Sequence, residues 1–480
     1  MAETSPGEIS TRGRRRNQTP KRGARRGFLV PEIREIRASN NDTDDVADAF
    51  LKGLHDANHG GTLYLPKGET FVIGKPLDLT FLNNVHVRLD GEIKFTNDTP
   101  FWQANSFRHP FQNSIMFWKW GGKDVKIYGE GVLNGNGQRW WNEFSGLEIL
   151  DPANAYLRPI LFYAENATGL HVEGIHFKDS PCWTTFVVTS KDISFKDVAC
   201  TAESNNATAL PKNTDFFDSL NVEKVRVERA WVNIGDDCFS PKSNATDIHV
   251  DTMYCNGTHG QSMGSIGQYQ GEKSFIQDVV IENVWMLNGQ HSARLKSWAG
   301  EKAGYGFINN VTFRNFWNAN NEYAAFLDSC YFQINSTTCA QFPSKVDISN
   351  VLFENFTGTT SGKYGRAVAR LTCSSSPNAV CENIRFKDFN VQSPAAARPS
   401  SCATASRTVS APRVSRRRAT RASRAQGQVH IASGGAAWSA VVGVWFDKTR
   451  SWTAPASLRG QTGCAKKVKP AGGGYSPCIY

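Results

Sequence analysis

Two adjacent aspartates, Asp236 and Asp237, lie in the stretch NIGDDCFSPK, which spans residues 233–242. Hydrophobic residues of the kind found in β-strands surround them, and a short strand normally directs consecutive side chains to opposite faces. Like charges that are brought to the same face repel each other and cost free energy. The pair therefore predicts a catalytic site that uses carboxylates, and the alternatives are a calcium site or a solvated turn.

Further residues that can do chemistry recur at intervals of one short repeat. The segment KNTDFFDS contributes Asn213 and Asp215, and CNGTHGQSMGSIG contributes His259. Asp215 precedes Asp236 by 21 residues, and His259 follows Asp237 by 22 residues. Strands stacked in a parallel sheet lie about 4.8 Å apart. If each interval is one coil of a stacked fold, three carboxylates and a histidine meet at one point.

Hydrolysis of a glycosidic bond is the chemistry that such a cluster allows. Neighbouring carboxylates raise one another's pKa, so that one acid keeps its proton beside others that are ionised. The protonated carboxyl donates to the leaving oxygen, and a carboxylate activates water. Arg294 and Lys296, in QHSARLKSW, alternate by two and point the same way on a strand. They are suited to bind the carboxylates of an acidic sugar.

The elements that must position these residues are short segments that recur along the chain. Each begins with a polar residue or Gly and then alternates apolar and polar residues. They start at residues 169, 192, 224, 247, 278, 310, 350 and 383. Alternation predicts strands, and one similar segment per 23–40 residues predicts a repeating unit. We therefore predict an all-β fold, a single-stranded right-handed parallel β-helix, with a jelly roll or sandwich as the alternative.

The two ends of the chain differ from the repeats. TDDVADAFLKGLHDANHGG predicts a short N-terminal capping helix with Thr43 as its N-cap. We predict a basic, disordered tail over residues 1–27, without the apolar core of a signal peptide, and the catalytic β-helix over 28–394. Residues 395–480 form an atypical tail whose Ala/Ser/Arg-rich composition predicts disorder or a misread gene end.

The net charge of +10 is concentrated at these ends. Residues 1–26 carry +6 and residues 389–480 carry +13, whereas residues 27–388 carry −9. An acidic main part argues against a nucleic-acid partner. The absence of an apolar run of about 18 residues argues against a membrane span. We expect a monomer that binds a polysaccharide.

Sequons and cysteines indicate a secreted, extracellular glycoprotein. Ten Asn-x-Ser/Thr sequons occur, at Asn17, Asn41, Asn97, Asn166, Asn206, Asn244, Asn256, Asn310, Asn335 and Asn355. The cysteine spacing is typical of short-range disulfides. The candidate pairs are Cys182 with Cys200, Cys238 with Cys255, Cys330 with Cys339, and Cys373 with Cys381. Cys464 and Cys478 are a further candidate pair, which leaves Cys402 odd. No cysteine pattern typical of a metal site occurs, and we expect no metal or cofactor.

The ordered motifs N-T-D, G-D-D, H-G…G-S-x-G and R-x-K resemble those of the polygalacturonases, the pectin-degrading glycoside hydrolase family 28, over about residues 40–393. The resemblance implies a right-handed parallel β-helix and hydrolysis with inversion. It implies that Asp236 is the general acid, while Asp215 and Asp237 position and deprotonate water. It also implies that His259 helps to hold the acid and the substrate.

The same resemblance implies the substrate-binding residues. Arg294 and Lys296 are expected to bind galacturonate carboxylates, and Asn213 and Tyr364 are further substrate-binding candidates. Phe216 stands where the family commonly has Gly after N-T-D, so we expect a ring that reshapes the floor of a subsite. The aromatic residues of MFWKW and QRWWNEF either stack on sugars or belong to the core.

The motif THG, in place of the GHG that is usual in endo-acting members, is similar to the exo-acting branch, the fungal exopolygalacturonases. The expected function is release of galacturonic acid from the non-reducing end of polygalacturonan. The alternatives are an exo-rhamnogalacturonan hydrolase, an endo-polygalacturonase, a pectate lyase-like β-eliminase and a non-catalytic carbohydrate-binding solenoid.

Overall fold

The computed structural model describes residues 33–332, 335–397 and 439–442. Strands dominate these residues, and the helices are few and short. The helices are α1 Ala47–Ala57, α2 Thr99–Asn105, α3 Gln138–Phe144 and α4 Ser336–Gln341, with 3-10 turns at Phe111–Asn113 and Pro394–Ala397.

The strands follow one another with short connections. They are β1 Ile33–Glu35, β2 Thr62–Leu65, β3 Thr70–Ile73, β4 Leu77–Leu79, β5 Asn83–Leu89, β6 Glu92–Phe95, β7 Phe107–His109, β8 Ser114–Met116, β9 Trp118–Tyr128, β10 Val132–Asn134, β11 Pro159–Ile160, β12 Phe162–Glu173, β13 His176–Lys178, β14 Thr185–Lys196, β15 Ala199–Thr201, β16 Phe217–Asn233, β17 Asp237–Pro241, β18 Ala245–Asn256, β19 Gly260–Ile266, β20 Lys273–Leu287, β21 His291–Trp298, β22 Tyr305–Asn321, β23 Tyr323–Tyr331, β24 Lys345–Thr360, β25 Ala369–Thr372, β26 Cys381–Gln392 and β27 Ser439–Val442.

Mainly parallel pairing stacks most of these strands coil upon coil into one 24-stranded sheet that winds into a right-handed parallel β-helix, whereas β7, β8 and β11 form a separate three-stranded sheet. The site face contains β17, β19, β21, β23 and β25, each paired with the strand one coil away. The long strands β18, β20, β22, β24 and β26 pair with one another along the rest of each coil, and left-handed residues such as Asp278 and Asn283 of β20 interrupt their register at two positions. The predicted fold class is therefore confirmed.

One of the two corners that these interruptions make is built from asparagines. Asn283, Asn315 and Asn355 have φ angles of 59°, 58° and 55°. This left-handed region is one that Asn tolerates better than most residues. The Asn315 Nδ2 atom donates to Asn283 Oδ1 at 2.9 Å, and Asn355 Nδ2 donates to Asn315 Oδ1 at 2.7 Å. We call these three residues the asparagine ladder, in which each side chain bonds to a copy of itself.

The interior is filled by apolar side chains that repeat from coil to coil. Phe313, Phe353 and Phe386 stack with ring centroids 5.4 Å and 4.8 Å apart. Such stacking adds to the free energy gained by burying the rings. The four tryptophans of the MFWKW and QRWWNEF segments are also buried, so they belong to the core rather than to a sugar-binding surface: Trp118, Trp120, Trp140 and Trp141.

Helix α1 covers the N-terminal end of the core, as predicted. Phe50 of α1 is fully buried, and its ring centroid lies 5.9 Å from that of Trp118. The predicted N-cap, Thr43, is wrong. The helix begins later, at Ala47, and it is the Asp45 Oδ1 atom that accepts a hydrogen bond from the Ala47 amide at 2.8 Å.

Three of the predicted disulfides are present, and one is not. The bridges are Cys238–Cys255, Cys330–Cys339 and Cys373–Cys381. Cys182 and Cys200 are free and buried. Cys200 points into the interior of the solenoid, whereas Cys182 packs in a separate apolar cluster outside it, so the sheet lies between them. Cys402, Cys464 and Cys478 lie outside the described residues.

The predictions for residues 1–27 and for nearly all of residues 395–480 also fall outside the described residues. Strand β27 pairs antiparallel with β25. None of the described helices is long and apolar enough to cross a membrane.

Candidate active site

The site face brings Asp215, Asp236, Asp237 and His259 together on successive rungs. Asp215 lies two residues before β16, Asp237 begins β17, and His259 immediately precedes β19. The Phe216 amide donates to the Asp237 carbonyl at 3.0 Å, and the His259 amide donates to the Asp236 carbonyl at 2.9 Å. Intervals of about one coil in the sequence thus become neighbouring positions in space.

Asp236 and His259 form an ion pair at the surface of this cluster. The His259 Nδ1 atom lies 3.0 Å from Asp236 Oδ1, which also accepts a hydrogen bond from the Asp237 amide at 2.8 Å. Burial opposes the charged form of Asp236, but the His259 charge and hydrogen bond outweigh it and lower the pKa of this carboxyl. Burial likewise opposes the charge on His259, but Asp236 raises the pKa of the imidazole.

Asp237 lies deeper and is surrounded by cations. Lys296 donates a hydrogen bond to Asp237 Oδ2, Arg294 Nη1 lies 3.8 Å from Oδ1, and the Ser262 hydroxyl donates to Oδ1 at 2.7 Å. Burial would raise the pKa of Asp237, but Lys296 and Arg294 outweigh it and hold the pKa well below its ordinary value. Asp237 is thus an ionised carboxylate held in place by three side chains.

Arg294 and Lys296 point to the same side of β21, as their spacing predicts, and an aromatic ring lies against both cations. The Tyr331 ring centroid lies 5.4 Å from the Arg294 guanidinium and 5.2 Å from Lys296 Nζ. Contacts of this kind stabilise and orient cations. Because Asp237 is already engaged by Lys296, the more exposed Arg294 is the better placed of the two to reach an anionic ligand.

Asp215 is buried beside a second ion pair, which sequence reasoning missed. Lys242 Nζ lies 2.7 Å from Asp218 Oδ1 and 3.9 Å from Asp215 Oδ2, and it donates to the Ser240 hydroxyl at 2.6 Å. Both Asp218 and Lys242 stand in the segments that carry the predicted acids. The interval of 24 residues between them, again about one coil, is the signal by which the pair could have been found.

The proton affinities within this group differ from one another. Burial, together with Asp218 and Asp236, raises the pKa of Asp215 well above its ordinary value. Burial also raises the pKa of Asp218, to about 7, although Lys242 opposes this rise. For Lys242, burial disfavours the charge, but Asp218 and Asp215 raise its pKa. The site therefore contains acids whose pKa is raised, Asp215 and Asp218, beside acids whose pKa is lowered, Asp236 and Asp237.

Asn213, expected to bind substrate, is held by a buried arginine. Its φ angle is 55°, and its Oδ1 atom accepts a hydrogen bond from Arg158 Nη2 at 2.7 Å. The same guanidinium donates to the carbonyls of Lys212 and Pro181 and lies over the Phe144 ring. Arg158 thus fixes the loop that leads to the first acid.

The expectation that Phe216 forms the floor of a subsite is wrong. Phe216 and Phe217 are both fully buried in the interior core. Phe216 packs against Phe195 with ring centroids 6.2 Å apart, and Phe217 stacks on Phe239 at 4.9 Å. Both rings point away from the groove because burying their apolar surface in the core lowers the free energy more than exposing it beside charged acids would.

Tyr364 lies at the edge of the site face, away from the acids. Its side chain is 45% exposed, and its ring stacks on Tyr323 at 4.5 Å. Tyr331, rather than Tyr364, is the tyrosine that contacts Arg294 and Lys296. The sequence analysis selected Tyr364 because it follows the R-x-K coil. Tyr331 also follows that coil, but it ends β23, before an insertion that contains helix α4 and separates β23 from β24.

An aromatic wall lies beside the cluster, and Phe111 and Trp183 of this wall come from coils that precede the acids. Phe111 packs against Trp183 and Tyr269, with ring centroids 6.2 Å and 5.7 Å away. The Gln112 amide donates to the Tyr269 hydroxyl at 2.8 Å, and the Gln112 side chain donates to Gln268 at 3.2 Å. The segment 107–113 is thus joined to the loop after β19. Trp183 connects the wall to the acids, because Lys242 Nζ lies 5.2 Å from the centre of its ring.

One group of oxygen and nitrogen atoms has the composition of a metal site. Ligand atoms of Asp236, Asp237 and His259 all lie within 4.8 Å of one another. Lys296 and Arg294 already balance the charge of Asp237, and His259 Nδ1 faces Asp236 directly. A divalent cation would be repelled by the two cationic side chains, so this donor set suits an anionic sugar better than a metal.

Sequence comparison places the chain among known proteins. Residues 61–411 match the sequence model of the glycosyl hydrolases family 28. A probable exopolygalacturonase B of Aspergillus terreus is 59% identical over 364 residues, which cover 76% of this chain and 83% of that protein. A probable exopolygalacturonase B of Neosartorya fischeri is also 59% identical over 364 residues, with coverage of 76% and 80%.

Comparison of structures agrees with this assignment. An endo-xylogalacturonan hydrolase from Aspergillus tubingensis superimposes with a TM-score of 0.69 at 28% identity, covering 75% of this chain and 93% of that one.

Proposed function

Because the chain belongs to the glycosyl hydrolases family 28, with relatives named as exopolygalacturonases, we propose that it releases galacturonic acid from the non-reducing end of polygalacturonan. The observation that carries this proposal is the convergence of three carboxylates, which are paired with four cationic side chains. An aromatic wall lies beside this cluster. The acids supply hydrolysis, the cations suit a polyanionic sugar, and the wall suits attack at a chain end.

In the proposed reaction Asp236 is the general acid, because it is the most exposed of the three acids. Its side chain is 14% exposed, against 6% for Asp215 and 2% for Asp237. Asp236 donates its proton to the glycosidic oxygen as the bond from that oxygen to the anomeric carbon breaks. Water attacks the opposite side of this carbon, and Asp215 takes the proton that water loses. The anomeric configuration inverts.

His259 supplies the proton that Asp236 needs. In the free site the pKa of Asp236 is lowered, which by itself disfavours a protonated acid. The pKa of His259 is raised, however, so the two groups together hold one proton between Oδ1 and Nδ1. A bound sugar carboxylate and the loss of water around Asp236 would both favour transfer of this proton to Asp236.

The wall and the cations together give the groove a direction. Phe111 and Trp183 come from coils that precede the acids, with Tyr269 packed against Phe111, whereas Arg294, Lys296 and Tyr331 come from later coils. The terminal sugar would lie against the wall, and the remaining chain would extend over the cations towards the C-terminal coils. A site closed at one end in this way releases one sugar at a time.

The test is a product time course on oligogalacturonides, with and without a chelator, separated by chain length. Monomer from the first time points, insensitive to chelator, is the expected result. Mixed short oligomers would instead indicate an endo-polygalacturonase. Unsaturated products that need calcium would indicate a lyase. Turnover of rhamnogalacturonan alone would keep the hydrolytic chemistry and change the substrate, and binding without turnover would indicate a carbohydrate-binding solenoid.

Secretion, glycosylation and a monomeric state are part of the same proposal. Nine of the ten sequons lie between residues 41 and 355, in the part of the chain that forms the solenoid. The three disulfides also suit an extracellular protein. A shift in mobility of the secreted protein after treatment with a glycosidase, and a light-scattering mass, would test these points.

A further inference from the structure

Beyond Arg294, the site face carries a second arginine that the proposed reaction does not use. Arg294 of β21 pairs in register with Phe326 of β23, and Phe326 pairs with Arg370 of β25. Residues that pair in register on parallel strands point to the same side of the sheet. Arg370 therefore lies on the same side as Arg294, two rungs further towards the C-terminal coils.

An aromatic ring joins the two arginines. The Arg294 guanidinium lies 5.9 Å from the centre of the Phe326 ring, and the Arg370 guanidinium lies 5.8 Å from the same centre. Phe326 is 8% exposed, so its surroundings hold it in place. A fixed ring flanked by two cations offers a sugar both a surface to pack on and charges to bind.

The charge of Arg370 is accessible. Its side chain is exposed, whereas Arg294 is largely buried. Within the part of the chain that the structure describes, no carboxylate lies within ion-pair distance of Arg370. The nearby acid Glu322 is instead engaged by Lys363. An exposed arginine without an acidic partner is available to an anionic ligand.

Tyrosines form one side of this position. Tyr323 packs against Phe326 with ring centroids 5.4 Å apart, and Tyr364 stacks on Tyr323. The half-exposed Tyr364 thus borders the surface next to Arg370 rather than the acids. Its expected contact with substrate would therefore be made further along the groove.

We propose that Arg370 and Phe326 form a second uronate subsite, which binds the carboxylate of a sugar further along the chain from the bond that is cleaved. This rests on the proposed function, because the direction of the bound chain follows from it. A polygalacturonan carries one carboxylate on every sugar, so a chain over Arg294 presents another to Arg370. A dimer ends too early to do so. The subsite makes the protein prefer longer chains.

The test measures binding, so that it does not depend on turnover. Asp236→Asn protein is titrated calorimetrically with digalacturonate and with tetragalacturonate, with and without Arg370→Ala. We expect Arg370→Ala to weaken tetragalacturonate binding about tenfold more than digalacturonate binding, as for the loss of one charged hydrogen bond. Arg370→Lys, which keeps the charge, should recover part of the difference.

Lys363→Ala provides the matched control. It removes a cation from the same coil, but one that already pairs with Glu322, and it should change binding of both lengths equally. Equal affinity of the two oligomers when Arg370 is present would overturn the subsite, and so would equal weakening of both by Arg370→Ala. Failure of the proposed function would give a different result. The protein with Asp236 intact would release no galacturonic acid, whereas tetragalacturonate would still bind more tightly than digalacturonate.

Discussion

The site face and the asparagine ladder use the same geometry for opposite purposes. In both, side chains one coil apart in the sequence lie on adjacent rungs. At the corner, Asn283, Asn315 and Asn355 repeat one residue type, and the amides of Asn315 and Asn355 each donate to the asparagine on the preceding rung. At the site, Asp215, Asp237 and their neighbours differ from rung to rung, and like charges stand side by side.

This difference teaches what stacking does to free energy. A side chain that both donates and accepts is satisfied by a copy of itself, so repetition stabilises the corner. Carboxylates only accept, so acids on adjacent rungs destabilise one another unless cations intervene. Lys242, Lys296 and Arg294 are those cations. At the site, the close charges lower the stability of the solenoid, and the same charges shift the pKa values of the groups there.

The largest effect is expected from removing the proposed general acid. Asp236→Asn keeps the size of the side chain but cannot donate a proton, so kcat on oligogalacturonides should fall by about 10³-fold. Binding should be nearly intact, which calorimetry with tetragalacturonate would show. A substrate with a good leaving group, such as a nitrophenyl galacturonide, should recover much of the rate. A loss of binding as large as the loss of rate would contradict the acid role.

The next effect concerns the carboxylate of the substrate. Arg294→Ala should raise KM for polygalacturonan by roughly tenfold to a hundredfold, because a charged hydrogen bond to the sugar is lost. The rise for a neutral glycoside should be far smaller. Steady-state kinetics on both substrates would measure the difference. A similar rise for both would show that Arg294 acts on the fold of the site rather than on the substrate charge.

A smaller effect, visible mainly in the pH profile, is expected from Lys242. This cation lowers the pKa of Asp215, and Asp215 must be ionised to accept a proton from water. Activity is lost as pH falls through the raised pKa of Asp215. Lys242→Met raises that pKa further, so the acidic limb of kcat should move up by about one pH unit.

Lys242→Arg, which keeps the charge, is the control for that change and should leave the limb near its original position. Loss of activity by the same factor at every pH would indicate a packing defect instead. Circular dichroism of both variants would establish that the fold is kept.

The smallest effect on activity is expected at the corner. Asn315→Ala breaks the asparagine ladder and places a residue with less tolerance for the left-handed region at φ 58°. The free energy of unfolding should fall by about 1–2 kcal/mol, whereas kcat and KM should not change. Denaturant unfolding and kinetics on one preparation would test this. A change in kinetics would mean that the corner and the site are coupled.

Much of this was readable from the sequence. Period-two alternation predicted the strands, and the spacing of about one coil predicted that Asp215, Asp236 and His259 would be neighbours. Both follow from local rules, because side chains alternate along a strand and equivalent positions stack between coils. The motif order predicted the family, and three of the four short-range disulfides in the described part of the chain were read correctly.

Only the tertiary structure determined which side of a sheet each residue faces and which residues it contacts as a result. It placed Cys182 outside and Cys200 inside the solenoid, and it turned Phe216 into the core. It paired Lys242 with Asp218 and assigned Tyr331, not Tyr364, to the two cations. It also joined residues 107–113 to the loop after β19. Sequence spacing specifies which coil a residue belongs to, whereas facing, loop closure and ion pairing depend on packing between segments that are distant in the chain.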